Sequence, residues 1–174
     1  GGHVAVPPIH GAGHSTARYG SHHALLVMLV CEQAAPVLGW SSQAVRSLAC
    51  AALSMNVAMA ALQDQLAASD TPITAAMRTQ IQAHPEQGAM WLHQAGLDDA
   101  LWIEAVRLHH DGGDGHMPLA ELPQPRQLAR LLRRADIFTA KISRRRTRAP
   151  MSPVQAAREA ARRMSCQNNL KQIG

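Results

Sequence analysis

His84, the adjacent pair His109-His110 and Asp136 are the residues with metal-ligand chemistry that fall at or inside predicted helix boundaries. Neutral imidazoles suit a single divalent transition ion such as zinc, iron, nickel or manganese, and a carboxylate adds a hard oxygen with a negative charge. Neighbouring residues on a continuing helix point about 100° apart, so His109 and His110 reach one site only if the helix unwinds there. The glycines that follow Asp111 permit that. The plainer alternative is that these are hydrogen-bonded core histidines, and both stay open at this level. Calcium fits poorly: an EF-hand loop begun at Asp111 puts Gly113 and Gly115 at ligand positions and Leu122 where the closing Glu belongs.

The elements that must carry these residues read as helices throughout. Apolar residues recur with helical spacing from about Gly20 to Leu38, with Gly39 as a C-terminal cap. Ser41 or Ser42 caps a long helix with the stripe Leu48, Ala52, Met55, Met59 and Leu62. Thr71-Pro72 opens a helix to about Ala83, where His84-Pro85 interrupts it and a new helix runs to about Gly96. Another spans Asp98 or Asp99 to His110, and a loop follows to about Gln124. Pro125 to about Arg146 forms a helix with Leu128, Leu131, Leu132, Ile137 and Ala140 inward, and Ser152-Pro153 opens a last one to about Cys166. The expected organisation is a flexible segment over 1–19, one domain over 20–166 and a tail over 167–174.

Composition agrees with that class. The chain has 174 residues, 47% of them hydrophobic and 17% charged, which fits one core. Its aromatic residues are Tyr19, Trp40, Trp91, Trp102 and Phe138, while Ala, Leu, Met, Arg and Gln abound, a balance that favours packed helices over sheets. The runs Ala24 to Cys31 and Ser47 to Gln63 lack the roughly 20 strongly apolar residues of a membrane span, so no membrane insertion is expected. Cys31, Cys50 and Cys166 are odd in number and have no CxxC spacing, which points away from a disulfide framework and towards a cytoplasmic home. The chain opens on Gly-Gly without a Met, so further sequence upstream is expected.

Residues 1–125 hold four Arg against ten Asp or Glu, net −6, and residues 126–174 hold thirteen Arg or Lys against Asp136 and Glu159, net +11. The densest part is Arg144, Arg145, Arg146 and Arg148, which can hold phosphates or simply form a solvated helix end. No aromatics interleave with it, so there is no stacking platform for single-stranded nucleic acid.

Four stretches come in a telling order: His84-Pro85-Glu86-Gln87-Gly88-Ala89, then His109-His110-Asp111-Gly112-Gly113-Asp114-Gly115, then Ala135-Asp136-Ile137-Phe138-Thr139-Ala140, then Arg145 with Met151-Ser152-Pro153. Together they resemble the HD-GYP branch of the HD-domain phosphohydrolases, whose elements read roughly HPxxG, HHExxDGxGYP, ADxxDA and RxYR followed by SP. The resemblance spans about residues 20 to 160. It implies an all-α, HD-domain-like bundle of about six to seven helices, with His23, His84, His109, His110 and Asp136 as surviving ligand positions, and a family chemistry of two or three metal ions hydrolysing cyclic di-GMP.

The departures fall on the defining pair. Where the family has a segment of the type AALLHDIGK, this chain has Ala51 to Met59, so the His-Asp pair is Met55-Asn56 and the Lys is Met59. An acidic residue of trinuclear members falls at Tyr19, the Gly-Tyr-Pro is replaced by His116-Met117-Pro118, and the Tyr of RxYR is Thr147. The family aspartate bridges two metals and offsets part of their charge. Asn56 offers only a neutral carbonyl oxygen, and the Met55 thioether is too soft for the ions of phosphoester hydrolysis. The resemblance therefore implies a degenerate signalling domain that binds a regulatory protein partner or a cyclic dinucleotide, with Arg145 and Arg148 as the phosphate-binding candidates. Its cofactor is either none or one ion on His84, His109 and His110. The alternative is an active phosphohydrolase that uses the residual His and Asp ligands, and a purely structural helical module is the third possibility.

Overall fold

The computed structural model describes residues 18–112, 117–143 and 149–161, and over these it is an all-α bundle without a strand. α1 covers Tyr19–Ala34 and runs into a 3-10 turn, Ala35–Leu38, which Gly39 closes at φ 66°, a left-handed conformation that costs a glycine little. α2 covers Ser42–Ser54; Ser41 caps it by accepting from the Ala44 N–H at 3.2 Å.

The long second helix of the sequence reading is not continuous. It breaks at Met55 and Asn56, passes through a 3-10 turn over Val57–Met59, and resumes as α3, Ala60–Ala68. The Ser54 hydroxyl donates to the Cys50 carbonyl at 2.8 Å, a back-bond of the kind that bends helices, and Asn56 adopts φ −106°, ψ 12°.

α4 covers Ala75–Gln94 and corrects two expectations. It starts at the Thr74 cap instead of Thr71-Pro72, because the Thr71 hydroxyl is engaged with Ser69 Oγ at 2.6 Å while Thr74 Oγ1 accepts from the Met77 N–H. It also continues through His84-Pro85 without interruption. α5 covers Ala100–Leu108; Asp99 Oδ1 caps it through the Trp102 N–H, and its Oδ2 accepts from the Ser47 hydroxyl at 2.7 Å, tying α5 to α2. After a 3-10 turn at Leu119–Glu121, α6 covers Gln124–Ile142, shorter than the expected end near Arg146. A final helical stretch occupies 153–161.

The core lies where α1, α2, α5 and α6 meet. Val27, Leu48, Met55, Val106, Leu128 and Leu132 are fully buried there, each side chain contributing about 1.5–3 kcal/mol relative to exposure. Two segments exceed what the apolar runs suggest: Tyr19–Leu38 and Ser42–Ala68, at mean hydropathy 1.2 and 1.5, are long and apolar enough to cross a membrane by length and composition. Core helices pass the same test, and these two also supply the buried faces that meet in the bundle.

Candidate metal centre

His84 sits inside α4, and His109 and His110 form the turn that ends α5. Leu108 is the last residue of α5, and His109 keeps a right-handed helical conformation at φ −65°, ψ −16° as its C-cap, so the two adjacent rings converge at the helix end itself. One ring nitrogen from each of the three histidines lies within 4.8 Å of the others. The ring centroids are 4.4 to 5.1 Å apart, with planes tilted by 58° to 90°.

Two tautomers are fixed by carbonyls that the helices leave free. Pro85 has no N–H to donate to the Ile81 carbonyl four residues back, and His84 Nδ1 takes that acceptor at 2.7 Å. The Val106 carbonyl is among the last four of α5, which have no helical partner, and His109 Nδ1 donates to it at 2.6 Å. A carbonyl only accepts, so both Nδ1 atoms carry the proton and both Nε2 atoms carry lone pairs. Those Nε2 atoms face each other at 3.2 Å. Two lone pairs meeting without a proton repel, and a cation between them removes the conflict.

The electrostatics favour the metal-ready form. Burial, which penalises the charged ring, lowers His84 and brings His109 down to about 3, helped by the neighbouring His110. His110 has a solvent-exposed outer edge, yet desolvation of its inner side followed by the nearby His84 lowers it to about 4. All three are neutral near pH 7. The donor set fits one divalent transition ion, as three imidazoles with room for a water or ligand oxygen do elsewhere.

His23 and Asp136 are placed differently. His23 is buried and its Nε2 donates to Asp136 Oδ1 at 2.7 Å; its Nδ1 lies 3.5 Å from Thr139 Oγ1, and its ring stacks on Tyr19 at 5.6 Å. Burial pushes the Asp136 carboxyl up, but the His23 hydrogen bond and charge outweigh it and hold the group below the usual carboxylate range. This pair stands outside the three-ring cluster, and Asp136 acts on those rings through space.

Met55 is fully buried in the apolar core, and half-buried Asn56 begins the 3-10 turn, its carbonyl accepting from the Met59 N–H. Arg145, Arg148 and Thr147 lie outside the described residues. The sequence did not indicate Thr139 or the arginines of α6; Arg133 donates to the His110 carbonyl and Arg126 pairs with Asp111 at 3.1 Å. Nor did it indicate the two fixed tautomers, although a Pro one residue after a His inside a helix is a readable sign that a carbonyl lies vacant within the ring's reach.

Residues 155–174 match a family described as a protein of unknown function (DUF1559), a stretch away from every residue of the cluster. No curated protein and no solved structure matches the chain.

Proposed function

We propose that this chain is a degenerate HD-GYP-like signalling domain that keeps one mononuclear site on His84, His109 and His110, lacks a complete dinuclear centre, and works as a protein- or nucleotide-binding module. The observation that carries this reading is Met55: at the position where the resemblance places a metal-binding imidazole, a thioether is packed into the core among Leu48, Ala89 and Val106. Methionine fills such irregular space well. Asn56 brings no charge to offset a second cation, and Asp136 is spent on His23.

A divalent ion on the three imidazoles would supply a Lewis-acidic position for water or a phosphoryl oxygen. The chain's own contribution is to hold two Nε2 lone pairs in place through the Ile81 and Val106 carbonyls and to keep all three rings uncharged. For docking, α1 offers the exposed Leu25, Leu26 and Leu29, and an apolar cavity of about 280 Å³ is lined in part by Val37, Leu38 and Leu131. A patch of this kind supports a regulatory protein partner.

The decisive experiment is metal analysis of the purified chain with a cyclic di-GMP turnover assay. One transition ion per chain with no turnover is the expected result. Two ions per chain with chelator-sensitive turnover favours the active phosphohydrolase and overturns the reading.

A further inference from the structure

α1 is apolar on two sides. Tyr19, His23, Val27 and Cys31 form the stripe it buries, and its neighbours in the bundle are α2, α3 and α6. A residue two positions away on a helix points about 200° round the axis, so Leu25 and Leu29 face outwards, opposite Val27 and Cys31. They are 48% and 49% exposed, and Leu26 beside them is exposed as well. A surface helix ordinarily carries charged and polar residues on that side. Within α1 the only Asp, Glu, Lys or Arg is Glu32.

The charges at the two ends of this outer stripe favour a particular occupant. Arg18, His22, Leu25, Leu29 and Glu32 follow three-four spacing and are all exposed, with Arg18 seven residues before Leu25 and Glu32 seven after. The two charges therefore stand about 21 Å apart along one stripe. Neither takes part in an ion pair among the described residues. Each also sits at the helix end that the α1 dipole disfavours, so the stability of α1 does not account for them. Turned end for end about Leu25, the stripe matches itself: leucine meets leucine at the centre, and each arginine meets a glutamate. Laid parallel, it would set arginine on arginine and glutamate on glutamate. An anionic lipid surface suits it less, because helices of that kind are rich in Lys and Arg and α1 carries a carboxylate.

We propose that α1 pairs with α1 of a second copy of this chain, antiparallel across a two-fold axis at Leu25, with Arg18 of each chain opposite the partner's Glu32. Such an interface is isologous and closes at two chains. The second copy is the partner of the α1 docking surface described above; the pairing rests on that docking role and is independent of the metal site.

The test is sedimentation equilibrium of the full chain at low ionic strength, and a reversible monomer–dimer equilibrium is expected. Leu25→Glu sets two carboxylates at the axis and should weaken the dimer more than about a hundredfold. Arg18→Glu or Glu32→Arg alone converts both ion pairs into like-charge pairs and should weaken it about tenfold; the double variant restores them and should return to within about threefold of the wild type. Far-UV circular dichroism checks that each variant keeps its helices, and if Leu25→Glu does not, the charge reversals decide. A wild-type chain that stays monomeric overturns the proposal, as does a dimer indifferent to Leu25→Glu or to the single reversals. The apolar dye ANS separates the failures. In a monomer, dye binding lost in Leu25→Glu means that the face is open to another partner, and no loss means that the docking role of α1 fails too. Binding of a monomer to phosphatidylglycerol vesicles, abolished by Leu25→Glu, would give the face to a membrane instead and equally overturn the pairing.

Discussion

The bundle holds two groups of buried histidines that solve the same problem in opposite ways. His23 is closed: a carboxylate accepts from one nitrogen, a threonine hydroxyl stands beside the other and a tyrosine ring covers the face. His84 and His109 are open: each commits its Nδ1 to a backbone carbonyl and presents an Nε2 that meets only another lone pair. Burying polar nitrogens demands partners. The closed group finds them inside the chain and so stabilises the fold, whereas the open group leaves two facing Nε2 atoms in a cluster that could hold a metal ion.

The largest effect that tests this contrast is on metal affinity. His109→Ala should weaken Zn(II) binding by more than about a hundredfold, beyond the loss typical for a supporting residue, as read by chelator competition. A loss of only a few-fold would mean that the open group is not a ligand set. Next in size, Asp136→Ala strands His23 and should lower stability by about 2–3 kcal/mol in urea denaturation, with Zn(II) stoichiometry unchanged. Loss of bound Zn(II) in that variant would merge the two groups into one site. Pro85→Ala returns an N–H to the Ile81 carbonyl and frees the His84 tautomer, so Zn(II) affinity should fall about tenfold with the fold intact.

A separate test concerns pH dependence. His109 and His110 titrate in the folded chain at about 3 and 4, below the ordinary histidine value of 6.5. The unfolded chain therefore binds more protons between those limits, and stability rises with pH there. It should be complete above about pH 6.5 and decline as the pH falls towards the folded values, with His109, the fully buried ring, contributing more than the exposed His110. His109→Gln should flatten that slope; an unchanged slope would place the protonation elsewhere.

Much of the architecture is legible from caps and stripes. Ser41, Gly39 and Asp99 mark the helix ends they cap, and Leu48, Leu128 and Leu132 lie inward as their spacing requires. The misreadings share a cause, competition between local signals. Proline in a helix interior predicts a break, yet at Pro85 the vacated carbonyl is claimed by the preceding side chain, which removes part of the penalty. Apolar periodicity through Met55 predicts one helix, and the Ser54 back-bond with the Asn56 turn ends it early. The ligand types at His84, His109 and His110 are visible in the sequence. Their convergence depends on how the end of α5 packs against α4, which periodicity does not specify.

Both bonds that orient His84 and His109 span only three residues, Ile81 to His84 and Val106 to His109. Each ring is thus oriented by its own stretch of backbone and not by the opposite helix. The packing of α4 against α5 only has to bring together two rings whose proton positions are already set locally.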